Sequence, residues 1–374
     1  MKRLFLHVSL VITVLAAFYG CTSTAPERMH RPVSNEVPLG AVLPITGNYA
    51  FTGEPIQRGM ALAVEEINGR GGVLGGFPLR LEARDSRSEI STGNREIQRL
   101  LNQPAIHTIA VAQAEIVAYI ETDLNTHPVL INYMTSYPPV PGRNPNAVRI
   151  FDNGPDQMQL IADYIAAEKL QPVVILATDD VHGRSLARYL QFLLSGEFIK
   201  AYFDVYSPGE RNFDLFAEQI MRVEPGAFVL IGYGEEYPAV ATALKKQNFS
   251  GPVLGHMGNA TPETVIQFRG ILDRPILIAG TYFVTRPQDS ELTRRFIEAY
   301  TARYGEAPTQ AAAYGYDYVH LLARSINTAD SLDANAVRAA MLATEGFVGA
   351  MGSITFTPQG DITVPTEIIA VGQP

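Results

Sequence analysis

The sequence predicts an α/β fold in which mainly parallel sheets are covered by helices on both faces, and three observations carry that expectation. Short apolar runs alternate with longer segments of helical periodicity through most of the chain. Hydrophobic residues make up 47% of it, and the roughly 350 residues left after an N-terminal leader suffice for two cores of ordinary size. Near the end the alternation gives way to three successive helices and two closing strands.

The leader comes first. Lys2 and Arg3 open the chain, and residues 4–19 are almost wholly apolar, interrupted by His7 and Ser9. A spanning helix needs roughly 20 apolar residues, so this run reads as a signal peptide over residues 1–20. Gly20-Cys21 at its end resembles the bacterial lipobox, whose cysteine becomes the acylated first residue. Phe18 and Tyr19 depart from that motif, and a plain secretory leader or a buried thiol stays open as the alternative. Cys21 is the only cysteine, so neither a disulfide nor a cysteine-based zinc site can form. Residues 21–37 read as a flexible tether.

Charge narrows the partners. Without Lys2 and Arg3, 27 basic residues face 38 acidic ones, a net charge of −11. Nucleic acid is not an expected partner, and attachment to an anionic membrane surface would rest on the lipid.

The elements follow in order. A strand is expected over Leu39–Ile45, then a helix over Gly53–Asn68, where Met60, Ala63, Val64 and Ile67 share one face. Further strands are expected at Leu79–Glu82, Thr108–Ala112, Val129–Asn132, Val173–Ala177, Ala201–Val205, Ala227–Gly232, Pro252–Gly255 and Ile276–Gly280. Helices are expected at Pro155–Glu168, Gly183–Leu194, Phe213–Val223 and Tyr237–Gln247. Such an order implies parallel sheets with binding loops at the carboxyl ends of the strands. Ser290–Tyr304, Gln310–Asn327 and Ala334–Ala343 form the late helical cluster, and strands at Ser353–Thr357 and Thr363–Val371 close the chain.

Enzymatic motifs are largely absent. The glycines at 69, 71, 72, 75 and 76 follow a helix instead of linking a strand to one, so they read as a turn and not as a phosphate cradle. Gly232-Tyr233-Gly234 follows a strand, but a third glycine is missing and Glu235-Glu236 would repel a pyrophosphate. No Gly-x-Ser-x-Gly elbow or His-Glu-x-x-His metal site occurs. Asp179 or Asp180 with His182 suggests a hydrolase only remotely; a helix-capping loop is the stronger reading. No enzyme, cofactor or metal site is expected.

A resemblance now becomes visible. Pro44-Ile45-Thr46-Gly47 with Gly53, Glu66-Ile67-Asn68, and Gly71-Gly72-Val73 with Gly75 are similar to the opening of the branched-chain amino-acid binding proteins, the type I periplasmic receptors of ABC transporters. His182-Gly183, the helix from Phe213 to Ile220, Gly232 to Tyr237, Gly255 with Gly258-Asn259, and Ala313-Tyr314 with Asp317 continue the likeness over about residues 38–371. It implies two doubly wound lobes joined by three crossings near Arg149, Tyr282 and Ala350. Lobe 1 would hold residues 38–149 and 282–349, and lobe 2 residues 150–281 and 350–371.

The resemblance also implies a ligand site. Gln113-Ala114-Glu115 falls where the amino-acid binders present a serine to the ligand carboxylate, and Thr135-Ser136-Tyr137 where they present a backbone group and a threonine. Thr52, just ahead of the first helix, joins this set. In lobe 2, His182 replaces a family tyrosine and Glu235-Glu236-Tyr237 a glycine-tyrosine turn, while Met257, just before Gly258, replaces the acid that faces the ligand ammonium. A buried cation without a counter-charge is unfavourable by several kcal/mol. Either Glu115, Glu235 or Glu236 supplies the charge from another direction, or the ligand has no α-ammonium; both stay open here. Tyr137, Tyr233, Tyr237 and Tyr282 are candidates for aromatic walls, with ordinary packing the alternative for each. The expected function is capture of a small polar or carboxylate-bearing solute for a membrane permease, by a lipid-anchored monomer. An envelope lipoprotein that uses the same fold to regulate a protein partner is the alternative.

Overall fold

A computed structural model of the chain describes residues 32, 34–120, 128–136, 144–233, 236–258, 271–281, 283 and 290–371. The leader, Cys21, most of the tether, Tyr137, Gly234, Glu235, Asn259 and Tyr282 lie outside the described residues.

The first sheet has the order β2-β1-β3-β4-β5. Its strands are β1 (Val37–Leu43), β2 (Leu79–Asp85), β3 (Thr108–Ala112), β4 (Leu130–Met134) and β5 (Ala147–Arg149), all paired in parallel. Every residue of β1, β3, β4 and β5 is buried, as expected for parallel strands with helices on both faces. Alternation along β1 divides the core: Leu39, Ala41 and Leu43 face one way, and Val42 joins Ile109 and Val111 on the other. Helix α1 (Ala50–Gly69) covers the first face, and α2 (Ile90–Leu101) with α3 (Ala114–Ile120) covers the second.

The second sheet has the order β14-β10-β9-β8-β6-β7. It contains β6 (Val173–Thr178), β7 (Ala201–Tyr206), β8 (Ala227–Tyr233), β9 (Val253–Gly258) and β10 (Ile276–Thr281) in parallel, with β14 (Thr366–Val371) antiparallel on the β10 edge. Here too the pleat alternates: Val174, Leu176, Phe228 and Leu230 join one cluster, and Val173, Ile175, Val229 and Ile231 the other. Helices α4 (Gly154–Ala167) and α5 (Val181–Gly196) pack on one face, and α6 (Asp214–Met221) and α7 (Tyr237–Lys246) on the opposite one.

The late helices are α8 (Glu291–Tyr304), α9 (Gln310–Ala329) and α10 (Ala334–Leu342). Although α9 follows the strands of the second sheet, it lies along α1 on the first. A small antiparallel sheet of β11 (Phe347–Gly349), β12 (Gly352–Phe356) and β13 (Ile362–Thr363) then leads to β14. The two closing strands read from sequence therefore part company, one joining this small sheet and the other the second large sheet. The chain passes between the two layers after β5, after β10 and before β14, so two doubly wound lobes are joined by three crossings.

The first and last passages run side by side. The Arg149 N–H donates to Gly360 O at 2.8 Å, and Arg149 Nε to Asp361 Oδ1 at 2.5 Å. The glycine-rich segment after α1 is a turn, with Gly71 at φ 102° and Gly72 at φ 74°, conformations in which a side chain would be strained.

Candidate functional site

A cleft with about 500 Å³ of empty space, part of it open to solvent, lies between the carboxyl ends of the strands of both sheets. From the first lobe come Pro44 after β1, Tyr49 and Thr52 around the start of α1, Gln113 to Glu115 between β3 and α3, and Met134 to Ser136 at the end of β4. Phe151 sits beyond the first crossing, and the second lobe adds His182 in the first turn of α5 and Tyr233 at the end of β8. The strand ends converge here because every strand of the two large sheets except β14 points the same way within its sheet.

Local chemistry fixes the walls. Asp85 Oδ1 accepts the N–H groups of Ile45 at 3.0 Å, Thr46 at 3.1 Å and Arg87 at 2.8 Å, and its Oδ2 accepts the Thr46 hydroxyl at 2.6 Å. Burial raises the Asp85 pKa, but these bonds outweigh it and hold the carboxyl below its ordinary value. Ser88 Oγ donates to Thr46 O at 2.8 Å and accepts the Tyr49 N–H at 3.0 Å, which sets Tyr49 at the cleft. Gly53 is required by close approach, since a Cβ there would lie 2.2 Å from Pro44 O. Across the cleft, Asp180 caps α5 by accepting the Gly183 N–H at 2.7 Å, so the Asp180–His182 loop is a capping loop as expected.

Gln113 turns the chain from β3 into α3 at φ 79°, a conformation that carries about 1 kcal/mol of strain or more in a non-glycine residue. Its Nε2 donates to Ser88 O at 3.2 Å, while its buried Oε1 has no donor among the described residues. Glu115 Oε1 accepts the Tyr49 hydroxyl at 3.4 Å and the Val181 N–H of the opposite lobe at 3.3 Å. The Tyr233 hydroxyl donates to Asp180 Oδ2 at 3.0 Å. Its ring meets Phe51 edge-on at 4.8 Å between centroids and stacks on His182 at 5.9 Å. Burial, and then the Asp180 charge, push both the Tyr49 and Tyr233 phenols up, so they remain protonated donors.

Behind His182 lies a buried polar chain. Asp152 accepts the Ser136 hydroxyl at 3.1 Å and Gln157 Nε2 at 3.2 Å, and His256 Nε2 stands 3.3 Å from its Oδ2. Burial raises the Asp152 pKa, but the hydrogen bonds from His256 and Ser136 help to outweigh it, so the carboxyl is held below its usual range. The rings of His256 and His182 are 5.0 Å apart. Burial, and then repulsion from His256, lower the His182 pKa to about 4, leaving that ring neutral near pH 7. His182 Nε2 has no hydrogen-bond partner among the described residues.

Of the residues singled out in the sequence, Thr52, Gln113, Ala114, Glu115, Thr135, Ser136, His182 and Tyr233 are brought together around this cleft. Glu236 does not line it. Its carboxylate is engaged within the second lobe by the Tyr206 hydroxyl, the Gly209 N–H at 3.0 Å and the Tyr233 N–H at 3.1 Å. Tyr237 is core, its hydroxyl reaching Leu230 O at 2.8 Å and His256 O at 2.7 Å. The backbones of Met257 and Gly258 pair with Gly232 and Tyr233 in strand register. Pro44, Tyr49, Met134 and Phe151 are lining residues that the sequence reading does not single out.

The comparisons with known proteins agree with this architecture. The chain is 24% identical over 344 residues to the Leu/Ile/Val-binding protein BraC3 of Rhizobium johnstonii, covering 88% of this chain and 89% of that one. Its fold resembles that of a leucine binding protein from Thermotoga maritima with a TM-score of 0.75 at 20% identity, covering 90% of this chain and 99% of that one. It also resembles an ABC-transporter solute binding protein from Rhodopseudomonas palustris solved with 3,4-dihydroxybenzoic acid, with a TM-score of 0.75 at 18% identity, over 90% of this chain and 93% of that one. A family model described as periplasmic binding protein matches residues 36–370. With two doubly wound lobes meeting over a polar cleft and a family match across nearly all of its length, this chain belongs to the periplasmic binding protein family.

Proposed function

We propose that this protein is an extracytoplasmic receptor that captures a small polar solute, an amino acid or a related compound, between its lobes and presents it to an ABC-type permease. The observation that carries this reading is Glu115, a cleft-lining carboxylate that takes hydrogen bonds from Tyr49 in the first lobe and Val181 in the second. A group bonded to both lobes makes their closure depend on what occupies the cleft. Among the described residues the site offers binding groups without a nucleophile, base and orienter in mutual contact, which favours a binder over an enzyme.

The lobes are taken as residues 38–149 with 282–349, and residues 150–281 with 350–371. In support, the strands of the first sheet fall within 37–149 and those of the second within 173–281 and 366–371. Attachment through an acylated Cys21 belongs to the same proposal, because a tether would raise the local concentration of receptor beside its permease. Intact-mass analysis of the membrane fraction should find the acyl mass on Cys21, and Cys21→Ser should release the protein. The mature receptor is taken to act as a monomer.

Mass spectrometry of solutes that copurify, followed by thermal shifts over a solute panel, tests the receptor role. A solute at 100 times its Kd should add roughly 2.7 kcal/mol to stability. If no solute class raises the melting temperature, the receptor reading fails and regulation of a protein partner takes its place.

A further inference from the structure

We infer that acid opens the cleft: a proton taken up by His182 in the cleft wall drives the two lobes apart, so that solute is held at neutral pH and released on acidification. The inference rests on the receptor reading, whose site it regulates.

His182 belongs to a wall that only the closed arrangement completes. It lies in the first turn of α5 and is 7% exposed. The Val181 N–H beside it donates to Glu115 Oε1 of the first lobe at 3.3 Å. Tyr233, whose ring stacks on His182, is met from the first lobe by Tyr49 at 6.5 Å and by Phe51 at 4.8 Å between centroids. Moving the lobes apart breaks these contacts and lets water reach the imidazole.

The closed wall has no place for a cation there. His182 Nε2 is buried without a partner among the described residues, so a proton on it would be an N–H lacking an acceptor. The nearby carboxylates are committed. Asp152 accepts Ser136 Oγ of the first lobe and Gln157 Nε2, and its ionised Oδ2 places the proton of the third bond on His256 Nε2 at 3.3 Å. Asp180 accepts the Gly183 N–H, the Thr178 hydroxyl and the Tyr233 hydroxyl. The titratable groups facing the two rings are Asp180 of α5, Tyr233 of β8, Asp152 of the crossing, Glu115 and Tyr49 of the first lobe, and Tyr314 of α9 beside Asp152. Asp180 and Asp152 attract a proton to His182, but burial and then the His256 ring 5.0 Å away prevail and hold its pKa at about 4.

The sign follows from linkage. In the open arrangement water restores the ring toward its ordinary pKa near 6.5. The open form then binds the proton more tightly, so the proton favours the open form. Closure is at full strength above pH 6.5 and is lost as pH falls toward 4. At pH 4.5 the equilibrium should move toward the open form by up to about 70-fold relative to pH 7.5, and solute affinity, which needs closure, should fall with it.

The test uses the mature chain dialysed free of solute, with the proton as the probe. X-ray scattering from pH 7.5 to 4 is paired with an NMR titration of the labelled histidine rings, His182 being assigned by its loss in His182→Gln. The radius of gyration should rise reversibly, with unchanged far-UV circular dichroism and a midpoint between pH 6.5 and 4 that coincides with protonation of His182. The His182→Gln protein should stay compact down to pH 4.5. Opening of that variant at the wild-type midpoint overturns the inference and assigns the acid effect to Glu115 or Asp180. A wild-type radius that does not change with pH, or that changes without protonation of His182, overturns it as well, and these wild-type measurements decide the matter even if the variant does not fold. None of these failures touches the receptor reading, which stands or falls on the solute panel at neutral pH. A wild type that opens in acid but binds no solute at pH 7.5 overturns the receptor reading and, with it, the release of solute.

Discussion

The carboxylate of Asp317, in α9, accepts the backbone N–H of Ala350 at 2.7 Å, and its second oxygen accepts that of Met351 at 2.9 Å. This fully buried group ties the late helical layer to the turn between β11 and β12. A Cβ on Gly349 would lie 2.3 Å from the same carboxylate, so the turn and the acid are matched in shape. Asp317→Asn keeps one acceptor and turns an amide N–H toward a backbone N–H. It should destabilise the protein by about 1–3 kcal/mol in urea denaturation. An unchanged midpoint would contradict this account.

His182 should give stability a measurable pH dependence. Its folded pKa of about 4 lies below an unfolded value near 6.5. As pH falls from 6.5 toward 4, the unfolded chain gains a proton that the folded one refuses, so stability is lost across that window. Asp317 opposes the trend: burial raises its folded pKa to about 7, above an unfolded value near 3.9, so its protonation stabilises the fold as pH falls. Comparing wild type with His182→Gln isolates the first effect. Between pH 6.5 and 4 the wild type should lose up to roughly 3 kcal/mol relative to the variant. Parallel profiles would show that the ring is not held neutral.

The first helical packing can be tested by two glycines in one helix. A Cβ on Gly59 would lie 2.0 Å from Ala312 O in α9, whereas one on Gly69 would meet nothing within 4 Å. Gly59→Ala must separate α1 from α9 and should destabilise by about 1–3 kcal/mol. Gly69→Ala keeps the packing and should stabilise by roughly 0.5–1 kcal/mol through helix propensity. Equal effects in urea titrations would refute the close approach.

These positions also show which parts of the fold were legible. Apolar runs and helical periodicity are local, and so Thr108–Ala112 and the Leu39–Ile45 run could be read directly as strands. Three-residue β5 and β11 carry too little pattern, and they form because longer strands already present an edge. Eight of the twelve described lining residues of the cleft were legible through loop position. The rest depends on long-range partners: Asp85 shapes the Thr46 turn from 39 residues away, and His256 reaches Asp152 across 104 residues. Glu236 could not be told from a cleft residue in sequence, because its engagement depends on Tyr206 and Gly209 in a separate loop.

Closure of the lobes should depend on Phe51. This residue is in the first turn of α1, 38% exposed, and its ring meets Tyr233 of the other lobe at 4.8 Å and 64°. Such an edge-on pair is worth about 0.5–1.5 kcal/mol beyond burial, or roughly two- to tenfold in an equilibrium between closed and open arrangements. Phe51→Ala should therefore enlarge the radius of gyration of the unliganded protein in X-ray scattering and weaken solute affinity by a similar factor. Its unfolding midpoint should change little, because the side chain lies at the mouth of the cleft and not in either core. Phe51→Tyr, which keeps the ring, should restore compactness and affinity together. An Ala variant as compact and as tight-binding as wild type would show that the lobes are held by other contacts, with the Glu115–Val181 bond the next to remove.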